Sequence, residues 1–401
     1  MGEDMESKWV QIWGQAHSNL SHFYYPEDEK TYRFIINSAL SGERVRIRLS
    51  NEFSQNDVHI GEVTLAKCDK EGNFIGDFKV VTKNGETSFV LKAGERLICD
   101  EIPFAVSLEE CIAISIFVEK GDLKSGNLLN NIKLLTVKGN VCRNPKISNE
   151  RRKRDTVIEV AGKILNLYLH KPLPLIESVE VLNFTGASAI TILGDSLCQQ
   201  GFWTNRFEER IRKAYPDRFS VINKSIMGNR ILRDFSPRFP CRGLFGDSAK
   251  KRLTRDVLDF SDTEYVIVAV GTNDLLQPGT IAAPKKDKAT ANELLDAIIE
   301  VSEKIKSCGK KPIVFNVAMF GECIDSRKHK EETAKEYNRL LEENRDRFLL
   351  LFNQEQIVIN PEKTNCTKKE YLGKDNLHYN ENGGNIVANS FPIDIFKQEN
   401  G

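Results

Sequence analysis

Ala189-Ile190-Thr191-Ile192-Leu193-Gly194-Asp195-Ser196 runs a short apolar segment straight into Gly-Asp-Ser. Such a run, apolar without alternation, reads as a strand covered on both faces. Four more segments have the same character: Phe219-Ser220-Val221-Ile222, Tyr265–Val270, Pro312–Val317 and Gln356-Ile357-Val358-Ile359. Between them lie amphipathic stretches. Leu294, Ile298, Val301 and Ile305 fall on one helical face, with Cys308-Gly309 as the stop before Pro312. A second helix is expected over 331–348, with Tyr337, Leu340 and Leu341 inward. Strands alternating with helices predict a parallel sheet in an α/β/α sandwich from about residue 181 to 401.

The preceding part obeys a different period. In Arg44-Val45-Arg46-Ile47-Arg48-Leu49, arginines alternate with branched aliphatics, so one face is apolar and the other charged. Val58, Ile60, Val63 and Leu65 change phase near Gly61, where a bulge fits. Ser88–Leu91 and Ile112–Val118 continue the pattern, separated by Asn84-Gly85, Ala93-Gly94 and Lys120-Gly121 turns. Residues 1–180 are therefore expected to form an all-β, jelly-roll-like sandwich, with 121–180 supplying its last strands and a connection.

Composition narrows the class. The chain has 401 residues, with 57 basic and 57 acidic side chains, so no global charge favours nucleic acid. The run Arg151-Arg152-Lys153-Arg154 is flanked by Glu150 and Asp155 and reads as a solvated loop. No segment approaches the ~20 apolar residues of a membrane span. The start, Met1-Gly2-Glu3-Asp4-Met5-Glu6, lacks the apolar core of a secretory signal. Nine cysteines without a C-x-x-C pair fit reduced thiols rather than a zinc site. A cytoplasmic protein without a cofactor or metal is the expectation, and no nucleotide-binding glycine motif follows a strand.

Parallel α/β sheets collect function at the carboxyl ends of their strands. Ser196 follows 189–193, Gly228 follows 219–222 by a short loop, and Asn273 of Gly271-Thr272-Asn273-Asp274 follows 265–270. Near the carboxyl terminus, Asp375-Asn376-Leu377-His378 places an acid three residues before an imidazole. A serine hydroxyl needs a base, and the base needs a group that holds its tautomer. Ser196 with His378 and Asp375 meets that need. The Ser196 amide, the Gly228 amide and the Asn273 side chain are candidate donors to an oxyanion.

These four segments resemble the four blocks of the SGNH (GDSL-type) hydrolase superfamily, over roughly 187–395. The resemblance implies a flavodoxin-like three-layer catalytic domain with Ser196, Gly228, Asn273 and His378 as the named residues and Asp375 as the acid. Gly228-Asn229-Arg230-Ile231-Leu232 and Arg255-Asp256-Val257-Leu258 are similar to the xylanase-associated esterases of that superfamily, several of which carry a β-sandwich first. Hydrolysis of acetyl or short acyl esters, of a small molecule or a carbohydrate, is what the resemblance implies. Acyl transfer, lipase or thioesterase chemistry on the same triad is the alternative, and a carbohydrate-binding protein with an inert α/β half is another. The chain departs from the pattern twice: the glycine after the serine is delayed to Gly201, and Met227 stands where many relatives have glycine.

Other residues read more plainly. Gly246-Asp247-Ser248 repeats the triplet but precedes a helical stretch, so Asp247 or Ser248 is expected as an N-cap. Asp195 reads as a structural hydrogen-bonder and Asp274 as a loop or helix cap. Trp203 and Phe202 read as packing for the first helix. His17, His22, His59, His170 and His329 lie outside the blocks.

Overall fold

The strand that leads into Gly-Asp-Ser lies inside a parallel sheet in the computed structural model, which describes residues 7–21, 28–129, 131–150, 172–236 and 243–397. Its strands are β1 (Ser188–Gly194), β2 (Phe219–Asn223), β3 (Thr263–Ala269), β4 (Lys311–Phe315) and β5 (Leu350–Phe352). They lie in the order β2-β1-β3-β4-β5. The order reverses beside β1, so a crevice opens at the carboxyl ends of β1 and β3.

Helices cover both faces. Ile190, Ile192, Ile267, Ile313 and Phe315 pack with Phe207 and Ile211 of α2 (Thr204–Ala214) and with Val387 and Ala388 of α8 (Glu381–Ser390). Leu193, Val266, Val268, Val314 and Leu351 pack instead with Leu294, Ile298, Val301 and Ile305 of α5 (Ala291–Ser307) and with Tyr337 and Leu341 of α6 (Lys328–Glu343). Neighbours along each strand thus serve opposite cores, which explains their unbroken apolar sequence. Thr290 and Glu293 start α5 with a reciprocal capping box.

One expected strand is wrong. Gln356–Ile359 does not pair in the sheet; α7 (Gln354–Val358) occupies it, capped by the Asn353 side chain, which accepts from the Gln356 N–H. Leu350–Phe352 takes the edge, in register with Ile313–Phe315. The helix expected after Ser248 is α3 (Ala249–Leu253), which widens into a π-helical turn over Thr254–Leu258. Ser248 does stand at its N-cap, but its side chain makes no capping bond.

The first part consists of mostly antiparallel sheets facing each other over one core. One contains Lys8–Gly14, Ile176–Asn183 and Gly42–Ser50; the other contains Lys133–Lys138, Lys30–Asn37, Cys111–Lys120, Val58–Cys68 and Phe74–Val81. Val45, Ile47 and Leu49 face Ile114, Ile116 and Val63 across that core. At Gly61 the register slips between Phe117 and Val118. The arginine face of 44–49 is covered too: Arg46 lies over Trp9, Arg48 over Phe260 of the α/β part, and both pair with Glu180.

The strand Ile176–Asn183 spans the expected 180/181 division and stays in the sandwich. Residues 184–187 then lead directly into β1. That link is pinned: Asn183 Oδ1 accepts from the Thr185 and Ala187 N–H groups, and its Nδ2 donates to the Ser41 carbonyl. Lys8–Gly14 packs along β2, and the Gln11 N–H donates to Asp262 Oδ2 at 2.8 Å. Lys224 Nζ donates to the Gln15 carbonyl at 3.0 Å. Among the described residues no helix is long and apolar enough to cross a membrane. The basic run 151–154 lies outside the described residues, as do His22 and His170.

Candidate active site

β1 ends at Gly194, and the chain turns at once into α1 (Ser196–Gln199). A Cβ on Gly194 would lie 2.5 Å from Cys198 Sγ and 2.6 Å from Ser225 Oγ, so only glycine lets the turn close this tightly. Asp195 caps α1: its Oδ1 accepts the Leu197 N–H at 3.0 Å. Ser196 is therefore delivered at the first position of a helix, on the carboxyl edge of the sheet.

His378 arrives from 182 residues away. Its Nε2 is 2.7 Å from Ser196 Oγ, and its Nδ1 is 2.6 Å from Asp375 Oδ2. Asp375 Oδ1 also accepts the backbone N–H groups of Leu377 and His378, each at 3.0 Å. Burial alone would raise the Asp375 carboxyl. The His378 hydrogen bond and charge, with those two amides, outweigh it and hold the group below the ordinary carboxylate value. An ionised Asp375 fixes the proton on Nδ1 and leaves the Nε2 lone pair toward the serine hydroxyl.

Gly228, on a loop, and Asn273, in the first turn of a helix, lie beside this pair. Gly228 has φ +67°, and a Cβ there would strike the Phe245 ring at 2.3 Å. Asn273 sits on α4 (Thr272–Leu276), after β3. Its Nδ2 donates to Asp195 Oδ2 at 3.2 Å and to the Asn229 carbonyl at 3.1 Å. Gln277 Nε2 ties the two loops together by donating to the Gly228 carbonyl at 2.7 Å and to Asn273 Oδ1 at 3.2 Å.

Both neighbouring acids have structural partners. Burial pushes the Asp195 carboxyl up to about 7 and that of Asp274 up to about 6. Of the two expected roles Asp274 takes the loop cap: it accepts the Ile231 and Leu232 N–H groups at 2.8 and 3.0 Å and holds the loop after Gly228.

Sequence reading missed the support beneath these loops. Arg252, 1% exposed, donates to the Gly194 carbonyl, the Lys224 carbonyl, Asn229 Oδ1 and Asp256 Oδ2. Asp256 is held down at about 2, because Arg255 and Arg252 overcome its burial. The i,i+4 spacing of Arg252 and Asp256 was the available signal, but it equally describes a surface pair. Asn127 was missed as well. From the sandwich its Nδ2 donates to the Ser225 and Ala16 carbonyls, and its Oδ1 accepts from Gln199 of α1 at 2.6 Å. Met227 packs against Leu20, Leu128 and Leu244, so the side chain that departs from the family pattern meets the sandwich. Trp203 stacks on Phe315, as packing predicts.

Residues 190–391 match the family model described as GDSL-like Lipase/Acylhydrolase. Among solved structures, the acetyl xylan esterase AlAXEase is 21% identical at a TM-score of 0.37, over 50% of this chain and 96% of that one. Axe2, an acetylxylan esterase from Geobacillus stearothermophilus, is 16% identical at a TM-score of 0.40, over 53% and 96%. A putative lipolytic protein of the G-D-S-L family from Desulfitobacterium hafniense DCB-2 is 14% identical at 0.38, over 50% and 96%. No curated protein matches the chain.

Proposed function

The chain belongs to the GDSL-like lipase/acylhydrolase family and is a carboxylic ester hydrolase, and we propose that it works through an acyl-enzyme on Ser196, with acetyl or short acyl esters as substrates. The observation that carries this reading is the unbroken relay from Asp375 through His378 to Ser196, at 2.6 and 2.7 Å. Ser196 Oγ attacks the acyl carbon as its proton passes to His378 Nε2. Asp375 stabilises the imidazolium. The tetrahedral oxyanion is held by the Ser196 and Gly228 N–H groups and by Asn273 Nδ2. Collapse expels the alcohol, which takes the proton from His378. Water, deprotonated in turn by His378, then releases the acid.

Asn273 enters this scheme with both its Nδ2 protons engaged, on Asp195 and Asn229. The oxyanion competes with Asp195 for one of them. A carboxyl pushed up to about 7 is partly neutral near neutral pH, and a neutral Asp195 holds that proton weakly.

Beneath the turn that carries Ser196, the void bounded by Leu197, Trp203, Val270 and Phe315 is about 10 Å³, too small to take an acyl chain. A carbohydrate alcohol is supported by a groove of about 580 Å³ beginning at Gly201, where Glu381, Asn385 and Asn389 offer a carboxylate and amides to hydroxyl groups.

The test is hydrolysis of 4-nitrophenyl esters of rising chain length, with mass spectrometry of the stalled acyl-enzyme. Acetate is expected to be turned over fastest, with the acyl group on Ser196. Ser196→Ala should be inactive and Ser248→Ala active; the reverse result overturns the assignment.

A further inference from the structure

A second cavity, of about 640 Å³, opens on the same edge of the sheet, between the loop that follows α4 and the loop that follows β4. Its charge is one-sided. Lys285, Lys288, Arg327, His329 and Lys330 line it, opposed by the single carboxylate of Asp325. This excess arises in a chain whose formal charges cancel.

The cations differ in what they do. Lys330 is buried and its Nζ donates to the Leu276 carbonyl at 2.6 Å, so it builds the wall. Arg327 donates to the Ile324 and Ser326 carbonyls, which fixes its guanidinium beside the mouth. Among the described residues, Lys285, Lys288 and Arg327 have no carboxylate within ion-pair distance, whereas neighbouring Arg230 pairs with Asp287 and Lys363 with Glu322. Helix α6, of 16 residues, begins here with Lys328, so its positive end adds to the same field. The exposed His329 is lowered by slight desolvation and then by the charges of Lys288, Lys330 and Lys285 against that of Glu332, which favours a neutral ring able to donate one hydrogen bond. Ile281, 70% exposed, adds an apolar lip.

Segments that line the cavity continue into those that carry the site. Leu275, in its lining, is two residues beyond Asn273 on α4. Pro278 follows Gln277, which links Gly228 and Asn273. On the other side, Asn376 of the histidine loop donates to the Glu322 carbonyl at 3.4 Å, three residues before Asp325. Leu377 and Leu275 pack in one apolar cluster.

We propose that this cleft binds an anionic group, a carboxylate or a phosphate, carried by the ester that the Ser196 relay cleaves. The proposal rests on the ester-hydrolase reading of that relay and specifies its substrate. Like-charged side chains facing one cavity repel each other, and a ligand anion relieves that repulsion while gaining charge-assisted hydrogen bonds.

The test compares paired esters on the full chain. Potassium 4-acetoxybenzoate against methyl 4-acetoxybenzoate places the anion on the alcohol. Mono-4-nitrophenyl succinate against 4-nitrophenyl butyrate places it on the acyl group. For at least one pair the wild type should prefer the anionic member by about tenfold in kcat/KM, and that ratio should collapse in Lys285→Gln/Lys288→Gln/Arg327→Gln. The preference should also fade with added sodium chloride, a measurement that needs no variant. The pair that responds tells which side of the ester the cleft holds. Ratios near unity for both pairs, or a ratio indifferent to salt and to the triple substitution, overturn the proposal. Failure of the ester-hydrolase reading looks different: the wild type would leave the neutral esters intact. Calorimetry with inorganic phosphate then decides the cleft alone, since heat in the wild type that is lost in the triple variant supports it and no heat overturns it.

Discussion

Asn127, in the sandwich, accepts a hydrogen bond from Gln199 at 2.6 Å, and Gln199 lies on the helix that begins with Ser196. The same amide spans to the Ser225 carbonyl, in the loop that leads to Gly228. One side chain of the first domain thus braces the nucleophile turn and a candidate oxyanion loop together.

Asn127→Ala should therefore damage both stability and turnover. Two buried carbonyls and the Gln199 amide lose their partner, at about 1–3 kcal/mol each if left unsatisfied. A shifted Ser196 should lower kcat by up to about 10²-fold. Urea unfolding and ester kinetics would check this, with KM expected near the wild-type value. An unchanged kcat removes Asn127 from the support of the nucleophile.

Asp375→Asn keeps the shape but allows the amide to fix the wrong imidazole tautomer, with Nε2 protonated. The expected loss is about 10³–10⁴ in kcat with folding intact, read by steady-state kinetics and circular dichroism.

Asn273→Ala should lower kcat by about 10²–10³ and change KM little, because the donor is needed only as charge develops on the oxygen. An equal loss in binding of a substrate analogue would show that Asn273 acts on the ground state instead.

Arg252→Met leaves Asp256 beside Arg255 alone and strands the Lys224 carbonyl, while the Gly194 carbonyl keeps only the Ile226 N–H. Loss of one partner from a buried pair costs about 3–5 kcal/mol. Denaturant unfolding should register that loss, and the esterase activity should fall with it.

His17 offers a pH test. It is 2% exposed, with Nδ1 at 2.8 Å from Ser125 Oγ and Nε2 at 2.9 Å from the Ile176 carbonyl. Burial lowers it to about 4, so the unfolded chain binds the extra proton first. Stability is full above the ordinary histidine value and is lost as pH falls from about 6.5 toward 4, by up to roughly 3 kcal/mol. Urea midpoints across that window should fall in the wild type and fall less in His17→Gln.

The meeting of Ser196, His378 and Asp375 was legible because their signals are local: a strand end, a triplet, an acid three residues from a histidine. The alternation of 44–49 gave the right inward face, but not that Arg48 would cover Phe260. Gln356–Ile359 misled because a short apolar run has no period, and the Asn353 cap that settles it is a single side chain. Arg252, Asn127 and Gln277 were invisible for a common reason. Each is a polar residue made structural by burial, and burial is set by segments remote in the chain.

The pinned link at residues 184–187 sets a limit on how this protein can be taken apart. With Asn183 locking the turn and Gln11 and Gln15 stitched to Asp262 and Lys224, neither half owns a finished surface at the seam. Protease nicks should find no hinge there. A catalytic fragment starting at Ser188 would be expressed with raw β2 flank and an orphaned lysine, and should aggregate rather than work as a smaller enzyme.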